Sequence, residues 1–452
     1  MMADLSTQIK EFNKKYKINS ELQEKVKFAH DNDAKRSGSI AGKPKKMGIE
    51  ILKRFFTNPI VVIFSVVFIV LILMSIIIPA TSPYKAGIPI NDSTYNNSLP
   101  PAYTSLVTDY LDYTDKKYLL IEDIRKANEA GPYKGIFDEF FATMQIDESL
   151  GLKAKVSYNP YLLMKYFTLW EWLKDPSKIF LNLREPISAA VSQLRPAETI
   201  EYTKVAISSN AVAAVVSSFV PSYYTVLGTS DTGWDIWVTT WKATWNAFTI
   251  AVLVSFAQVI IGVSIGAYLG FNAGKQVDTI VMRLIDIFTS PPTIVWMLMF
   301  VTILGANTWA LIAALIIVGW PSFVSLTRMY IITVKNQEYI TAAKAIGATS
   351  GRQIFIHAFP AIVGKIANSF VRTIPATIMW IASLAFLGFL KSDTGVNNLG
   401  ELLIKATPQA DQNAWILILP TLILLLLSMS LYFIALGLHD ALDPRVMSKK
   451  RR

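Results

Sequence analysis

The side chains that most often carry catalytic chemistry are few and scattered in this chain. The sequence contains no cysteine and three histidines, which excludes a cysteine nucleophile and a thiolate metal site. Its Gly-Lys pairs, at 42–43, 274–275 and 364–365, are followed by Pro, Gln and Ile, so none completes the Gly-Lys-Ser/Thr ending of a phosphate-binding loop. We therefore expect no covalent chemistry, no metal and no cofactor in this chain, and any ATP would be bound by another polypeptide.

A polar segment between two apolar blocks has the composition of a contact surface. Residues 338–360 read as a short helix of small residues, a glycine at which the chain can turn with positive φ, and a second helix that a proline should end. The small side chains would let another surface approach closely, and the charged ones would pair with it. The residues with these predicted roles are Glu338, Ala342, Ala343, Lys344, Gly347, Arg352 and Pro360. A solvated amphipathic loop explains the spacing equally well.

Three glycines recur at intervals of four residues within one apolar block: Gly262, Gly266 and Gly270. A row of small residues lets helix backbones pack closely inside a membrane. We favour packing between helices over a moving hinge at these positions.

Four tryptophans fall on about one helical face just before that block: Trp234, Trp237, Trp241 and Trp245. Tryptophan is enriched at membrane–water interfaces, so an interfacial helix lying at the headgroups is the favoured interpretation. A stacking wall for an incoming ligand is the alternative.

Charged residues near the apolar blocks are sparse. Arg283 and Asp286 lie one helical turn apart, and Arg328 and Arg372 fall near expected interfaces, where long side chains reach the headgroups. We interpret them as local ion pairs and anchors in preference to a substrate site. The histidines fall outside the blocks, so the sequence offers no proton relay at mid-membrane depth.

The composition indicates a membrane protein. Hydrophobic residues make up 52% of the chain and charged residues 17%, below the roughly 25% of charged residues in ordinary soluble proteins. The formal net charge is +10, and Lys and Arg gather at the ends of apolar blocks without the basic and aromatic surface that nucleic acid requires. We expect the chain to lie in a lipid bilayer and to bind no nucleic acid.

Six apolar blocks are long enough to cross a bilayer. The first, residues 60–78, reaches about 28 Å at about 1.5 Å per residue, close to the hydrocarbon thickness. The other blocks are residues 248–269, 287–304, 309–329, 366–390 and 414–436. The predicted fold class is an all-α polytopic membrane protein with six transmembrane helices and a mixed domain inserted between the first and second spans.

The distribution of charge orients the chain. Both ends are rich in Lys and Arg, whereas the long loop after the first span is slightly acidic. Because cytoplasmic segments carry the excess of Lys and Arg, we expect a multi-pass protein of the plasma membrane with both termini cytoplasmic.

These expectations divide the chain into five parts. They are a cytoplasmic tail at 1–58, the first transmembrane helix at 59–79, an extracytoplasmic domain at 80–230, a core of five transmembrane helices at 231–440 that includes a cytoplasmic loop at 334–360, and a basic cytoplasmic tail at 441–452. Within the external domain, residues 202–220 fit either strands or a buried helix.

The cytoplasmic loop resembles the EAA loop of ABC importer permeases. That loop has a glutamate, paired alanines, a glycine and a terminal proline at the positions of Glu338, Ala342, Ala343, Gly347 and Pro360. In the family it is the coupling helix that docks in a groove of an ATPase subunit, so the resemblance implies this role for the residues around Gly347.

Other segments are similar to the oligopeptide, dipeptide and nickel branch of that family. His357 stands where the peptide transporters commonly have histidine, and residues 227–235 and 278–287 resemble the segments that lead into the branch's second and third spans. Residues 437–445 are similar to the end of its C-type subunit, and residues 55–84 to its first span. The external loop and the N-terminal tail are longer than is usual in the family.

The resemblance implies a type I permease core that carries oligopeptides together with a homologous second permease subunit. It also implies two ATPase subunits, which bind ATP and Mg²⁺, and an extracytoplasmic peptide-binding protein. Dipeptides or nickel complexes are the alternative cargo. A secondary transporter is disfavoured by the lack of mid-membrane charges, and a membrane receptor is favoured only by the size of the external domain.

Overall fold

The computed structural model describes residues 47–442 except for short internal stretches. These are residues 91–95, 105, 131–132, 150, 152, 176, 178–185, 188, 191–192, 194–209, 306 and 389–398. Most of the predicted N-terminal tail and residues 443–452 lie outside the described residues. The chain divides into two units, Met1–Thr57 and Asn58–Arg452. The first contains helix α1 (Met47–Phe55), which carries Lys53 and Arg54 in its last turn.

The second unit opens with a long apolar helix, α2 (Pro59–Thr81). The side-chain oxygen of Asn58 accepts a hydrogen bond from the N–H of Ile60 at 3.1 Å, and Pro59 supplies the φ angle suited to a first helical turn. At about 1.5 Å per residue, α2 reaches about 35 Å, which is enough to cross the hydrocarbon layer.

A compact mixed domain follows, which we call the inserted domain. Its elements are β1 (Val107–Asp112), α3 (Lys116–Glu129), α4 (Asp138–Thr143), β2 (Gln145–Asp147), β3 (Lys153–Tyr158), α5 (Pro160–Lys174) and α6 (Asn210–Phe219). The strands form an antiparallel sheet in the order β1-β3-β2. Val107 pairs with Tyr158 and Gln145 pairs with Ser157.

Alternation along β3 explains how the sheet buries one face. Ala154, Val156 and Tyr158 are buried, and the residues between them point to the other face, as the two-residue period of a strand requires. Helix α5 is apolar on nearly all sides and is buried along most of its length. The mixed secondary structure predicted for residues 80–230 is present, and α6 supplies a helix within 202–220 where strands were the alternative.

Residues 227–235 join the inserted domain to the helices that follow. The N–H of Thr229 donates to the carbonyl of Leu99 at 2.9 Å, and the N–H of Leu99 donates to the hydroxyl of Thr229 at 2.8 Å. Gly228 has φ of +85°, and a Cβ there would lie 2.2 Å from the Leu99 carbonyl oxygen. Both the backbone angle and the close approach therefore require glycine.

The remaining elements form a helical bundle with α2. They are α7 (Ile236–Phe271), α8 (Gln276–Thr289), α9 (Thr293–Leu304), α10 (Thr308–Val334), α11 (Glu338–Ala345), α12 (Ser350–Arg352), a π-helical segment (Gln353–Ala358), α13 (Phe359–Phe386), α14 (Leu399–Ala406) and α15 (Trp415–Leu442). Helix α7 is central, since it contacts α2, α13 and α15 and packs most extensively against α10.

The block predicted as a third span at 287–304 is not one straight helix. Helices α8 and α9 meet at an angle of 83°, because Pro291 and Pro292 lack the N–H groups that would continue the hydrogen-bond ladder. The bend is held by Trp296, whose Nε1 donates to the carbonyl of Phe288 at 2.7 Å and whose ring stacks on that of Phe288.

Five helices of the described chain are long and apolar enough to cross a membrane: α2, α7, α10, the helix from Ser350 to Phe386, and α15. The α8–α9 pair becomes a sixth crossing only if both of its arms form one span. The chain is therefore a multi-pass membrane protein, and the exact number of six spans stays a prediction.

Candidate functional site

Between α10 and α13 the chain folds as a helix, a turn and a second helix. Glu338 lies in the first turn of α11, where the helix dipole favours negative charge. Gly347 turns the chain at φ of +87°, a conformation that non-glycine residues rarely adopt. The hydroxyl oxygen of Thr349 then accepts from the N–H of Arg352 at 3.4 Å and caps α12. We call residues 338–358 the knuckle.

Pro360 does not end the second helix, contrary to the prediction. The helix runs from Ser350 to Phe386, and Pro360 lies in the first turn of α13. In the π-helical segment before it, the N–H of Phe359 donates to the carbonyl of Ile354, five residues back. Since proline has no N–H and crowds the preceding turn, the wider π turn accommodates it. The knuckle is thus continuous with a span.

The predicted contact residues fall into two sets. Ala343 is 6% exposed and faces the protein interior, so it is not accessible to a partner. The others lie on the surface of the knuckle and its exit: Glu338, Ala342, Lys344, Gly347, Arg352 and Pro360.

Large apolar side chains that were not predicted from the sequence also lie on this surface. Ile346 is 87% exposed, Ile356 60% and Phe355 56%, with Tyr339 nearby in sequence on α11. Exposed large apolar side chains on a segment that is otherwise polar are candidates for contact with a partner. The signal in the sequence was their position beside the turn glycine and beside the π segment, in a loop that is otherwise polar.

The knuckle is attached to the bundle through its buried face. Ile340, Ile354 and Ala358 form one apolar cluster with Ile331 at the end of α10 and Ala267 near the end of α7. The knuckle is therefore packed against α7 and α10 through side-chain contacts and joined to α13 through the continuous helix.

The glycines at 262, 266 and 270 lie where α7 meets α10. A Cβ on Gly262 would lie 2.4 Å from the Cβ of Phe323, and one on Gly266 would lie 2.5 Å from the carbonyl oxygen of Val324. A Cβ on Gly270 would lie 2.7 Å from Ile331. The two helices approach too closely here for any side chain.

Arg328 forms an ion pair with an acid that is 50 residues away in the chain. Its Nε and Nη2 donate to the two oxygens of Asp278 at 2.6 and 2.7 Å, and the Asp278 side chain is 3% exposed. The N–H of Gly274 adds a third bond to Asp278 at 3.0 Å. The predicted pair of Arg283 and Asp286 is present at 3.8 Å but is exposed, and such pairs contribute little to stability.

The tryptophans do not form a separate interfacial helix. Trp237, Trp241 and Trp245 lie in the first turns of α7, which continues unbroken into the span, and Trp234 precedes it. Trp234 and Trp241 are each 3% exposed, so they pack inside the protein. The helix starts this early because Asp235 caps it.

Asp235 is a buried acid at the start of α7. Its Oδ1 accepts from the N–H of Val238 at 2.7 Å, and the residue is 2% exposed. Burial raises the pKa of Asp235 to about 6, although hydrogen bonds from the N–H groups of Val238 and Trp237 oppose the rise.

The knuckle and the tryptophans belong to opposite ends of α7. The helix has 36 residues and is therefore about 54 Å long, with Gly270 beside Ile331 at the knuckle end. Within the ranges that the structure describes, no group of three or more His, Asp or Glu side chains is placed to hold a metal ion.

Two regions of the chain match known protein families. Residues 262–448 match the family of binding-protein-dependent transport system inner membrane components. Residues 47–101 match the N-terminal transmembrane domain of oligopeptide transport permease C. The first match contains the knuckle and the glycines of α7, and the second contains α2.

Individual proteins agree with these matches. The oligopeptide transport system permease protein OppC of Mycoplasma pneumoniae is 28% identical over 430 residues, which cover 92% of this chain and 96% of that protein. OppC of Bacillus subtilis is 30% identical over 219 residues, covering 48% and 71%. The dipeptide transport system permease protein DppC of Haemophilus influenzae is 31% identical over 229 residues, covering 50% and 75%. Coverage of 92% means that the mycoplasma relative aligns with most of the inserted domain.

Proposed function

We propose that this chain, which belongs to the binding-protein-dependent ABC permeases and among them to the C-type subunits of oligopeptide and dipeptide transport systems, imports oligopeptides as one half of a membrane pathway. A homologous second permease subunit forms the other half. Two ATPase subunits bind ATP and Mg²⁺, and an extracytoplasmic binding protein delivers the peptide.

The knuckle is the observation that carries this proposal. It presents exposed apolar side chains, with Ile346 at 87% exposure, next to the exposed charges of Glu338, Lys344 and Arg352. Apolar contact supplies affinity for a partner, and charges at its rim fix the orientation. A groove on an ATPase subunit is the partner that this surface fits.

The buried face of the knuckle supplies the mechanical link. When ATP closes the two ATPase subunits, the docked knuckle moves with them. Its contacts through Ile340 and Ile354 then displace α7 and α10, and the continuous helix displaces α13. Moving these spans as rigid bodies exposes the pathway alternately to the two sides of the membrane.

The same proposal orients the chain. The knuckle end of the bundle lies in the cytoplasm, where ATP is available, and both termini lie there as well. The α8–α9 pair then counts as one crossing, which gives six spans and puts the inserted domain outside the cell membrane. The basic ends and the slightly acidic loop support this orientation.

The inserted domain docks or shields the peptide-binding protein in this proposal. Its link to the bundle supports the role, because Tyr161 of α5 donates to the carbonyl of Pro100 at 2.7 Å, next to Leu99, which is hydrogen-bonded to Thr229 shortly before α7. The alignment with the mycoplasma permease extends over 92% of this chain and so includes most residues of the domain.

Dipeptides are the second candidate cargo. The observation that favours them is the match to the dipeptide permease of Haemophilus influenzae, which is 31% identical over 50% of this chain, whereas OppC of Bacillus subtilis is 30% identical over 48% of it.

The experiment measures peptide uptake by the full complex reconstituted in vesicles. ATP is supplied either inside or outside the vesicles, and the two conditions are compared. Glu338→Arg and Ile346→Asp should each abolish ATP-dependent uptake, because one reverses a charge and the other places a carboxylate in the apolar contact. Both positions are exposed, so the bundle should still insert and fold.

Gln276→Arg is the matched control, since Gln276 is exposed at the same end of the bundle but lies outside the knuckle. Its uptake should equal that of the unmodified complex. Normal uptake by both knuckle variants would contradict the coupling role of the knuckle. Uptake that needs no ATP would contradict the proposed function.

A further inference from the structure

Helix α15 exposes a row of large apolar side chains along most of its length. They recur every three or four residues and so share one face of the helix. This apolar face of α15 consists of Ile418, Leu422, Leu425, Met429, Tyr432 and Leu436, which are between 41% and 58% exposed. It is about 27 Å long, and an exposed apolar face of that length on a spanning helix is typical of contact with lipid and not with an aqueous pathway.

A cavity of about 170 Å³ opens at one end of this face, between α13 and α15. Asn368 and Arg372 line it from α13, and Tyr432, Leu436 and His439 line it from α15. The guanidinium carbon of Arg372 is 5.9 Å from the centre of the Tyr432 ring. The cavity therefore places a positive charge at the end of an apolar face.

The first turns of α2 show the depth of the cavity. Phe433 stacks on Phe64 with the ring centres 4.4 Å apart, and a Cβ on Gly437 would lie 2.5 Å from Cγ1 of Val61. Both α2 residues lie within six residues of Asn58, where the chain enters its first apolar block. The cavity residues on α15 are therefore level with the boundary between the hydrocarbon layer and the headgroups.

Arg372 reaches the same boundary from α13. The two helices are antiparallel, since a Cβ on Gly364 would lie 3.0 Å from Leu442 whereas Arg372 contacts Tyr432. Gly364 is level with Leu442, and counting residues along each helix at about 1.5 Å per residue puts Arg372 about 5 Å further into the membrane than Gly437. An arginine side chain spans that distance and brings its guanidinium to the headgroups.

The charge of Arg372 is not neutralised by the described part of the chain. Among those residues, no carboxylate lies within ion-pairing distance of Arg372, whose guanidinium contacts the Tyr432 ring. The acid nearest in sequence to the cavity residues, Asp440, is bonded to His439 Nδ1 at 3.3 Å. Arg372 therefore has its hydrogen-bond donors available for a group from outside the chain.

Asn368 adds an unused acceptor. Its Oδ1 is buried and has no hydrogen-bond partner in the ranges that the structure describes. A buried acceptor without a partner is unfavourable. A ligand that brings an O–H group into the cavity would satisfy it.

The chemistry of the cavity selects a phosphate. A guanidinium binds phosphate through two parallel hydrogen bonds, and basic pockets between spanning helices bind the headgroups of anionic lipids. A soluble phosphate has no use for the apolar face of α15, whereas a phospholipid places its acyl chains on such a surface. The depth of the cavity and the apolar face that leads to it both favour the phospholipid.

We infer that Arg372, Asn368 and Tyr432 form a binding site for an anionic phospholipid, in the leaflet on the knuckle side of the membrane. Arg372 donates to the phosphodiester oxygens, and Asn368 Oδ1 accepts from a hydroxyl of the headgroup. Tyr432 supports the guanidinium, and the acyl chains lie along the apolar face of α15. The headgroup carries no ammonium group, because that would place a second cation beside Arg372.

The first test measures lipid binding by native mass spectrometry of the full chain, purified with the subunits that accompany it. The protein is titrated with phosphatidylglycerol and, separately, with phosphatidylcholine of the same acyl chains. The tightest site should prefer phosphatidylglycerol. Arg372→Gln should weaken phosphatidylglycerol binding at that site about ten-fold, the loss expected for a charge-assisted bond pair, and Arg372→Lys should be intermediate because it keeps the charge but not the two-point geometry.

Lys275→Gln is the matched control, since it removes an exposed positive charge at the same end of the bundle but outside the cavity. It should not change the affinity. Equal affinity of Arg372→Gln and the unmodified chain for phosphatidylglycerol, or equal affinity of the unmodified chain for the two lipids, overturns the site. Glycerophosphoglycerol, the headgroup without acyl chains, should not displace the lipid at equal concentration. Displacement would assign the cavity to a soluble phosphate and overturn the lipid.

A second test labels the cavity in native membranes. The chain has no cysteine, so Leu436→Cys puts its one thiol at the cavity. Ile63→Cys is the control, because Ile63 is exposed and lies between the α2 residues that mark the same depth. A phospholipid with a maleimide on its headgroup should label Leu436→Cys faster than Ile63→Cys.

Excess phosphatidylglycerol should protect Leu436→Cys from this label, and phosphatidylcholine should not. Equal labelling rates at the two positions, or equal protection by the two lipids, contradicts the site. Absence of labelling at Leu436→Cys would show that another subunit covers the cavity and would also overturn the site.

Discussion

Arg328 and Asp278, which are 50 residues apart in the chain, form a two-point contact between two helices, with Nε 2.6 Å from Oδ1 and Nη2 2.7 Å from Oδ2. The pair ties α8 to α10. Because α8 turns away from α9 through 83°, continuity of the helix cannot hold α8 in place. The ion pair supplies part of that constraint, in the half of α10 that leads to the knuckle.

Arg328→Met should destabilise the protein by about 3 kcal/mol, because it leaves the buried carboxylate of Asp278 without its partner. The double variant Asp278→Leu with Arg328→Met should recover much of this loss, since no buried charge remains. Unfolding in detergent measures both. Arg283→Gln breaks the exposed pair with Asp286 and should cost at most about 0.5 kcal/mol. Equal losses in the single and double variants would contradict this account.

Gly266→Ala should separate α7 from α10. The added methyl would lie 2.5 Å from the carbonyl oxygen of Val324, and overpacking of this kind costs about 1–3 kcal/mol. Gly351→Ala is the same substitution at a position with no heavy atom within 4 Å, so it should be neutral or slightly stabilising. Unfolding midpoints compare the two variants. Equal midpoints would show that α7 and α10 can move apart enough to accommodate the methyl group.

Gly347→Val should uncouple transport without unfolding the bundle. No atom lies within 4 Å of a Cβ at this position, but φ is +87°, and a side chain in the left-handed region costs about 1–2 kcal/mol. The turn would therefore reshape, and ATP-dependent uptake should fall. Gly347→Asn should retain more uptake, since asparagine tolerates positive φ better than valine. Equal uptake by the two variants would mean that the turn angle is not needed.

Asp235 should make stability depend on pH. Its pKa rises from 3.8 to about 6 in the folded protein, so the folded state holds a proton that the unfolded state has lost. The free energy of unfolding should fall between about pH 4 and pH 6, by up to about 3 kcal/mol, and stay level above that.

Asp235→Asn tests this directly. Asparagine keeps the helix cap and removes the buried charge, so the variant should be more stable than the parent at pH 7.5 and should lack this part of the pH dependence. Asp231→Asn, at an exposed position, is the control and should follow the parent. A pH profile of Asp235→Asn that overlays the parent would contradict the assignment.

The polypeptide pattern was sufficient for the class of protein and for the family. Long apolar blocks predict helices, because a helix satisfies the hydrogen bonds of all its backbone groups within lipid. The spacing of Glu338, Ala342 and Gly347 matched that of a loop in a known family. The spacing of Gly262, Gly266 and Gly270 likewise indicated close packing, because a row of glycines on one helical face can be recognised without knowing which helix packs against it.

Other features depended on residues distant in the chain. Nothing near Arg328 in sequence indicates that Asp278 is its partner, and the exposure of Arg372 depends on where α15 lies. Burial of Trp234 and Trp241 is likewise decided by the helices around the start of α7, whereas local composition suggested an interface. The position of Pro360 in a continuous helix depended on the π segment before it.

The amino-acid order alone determined that the chain spans a membrane, which loop meets a partner and which helix face packs closely, because these follow from local composition and helical period. The tertiary structure decided which charges are paired and which face of the knuckle remains available. Each of these depends on contacts between segments, and the free energy of such a contact is set by burial that no local window of sequence contains.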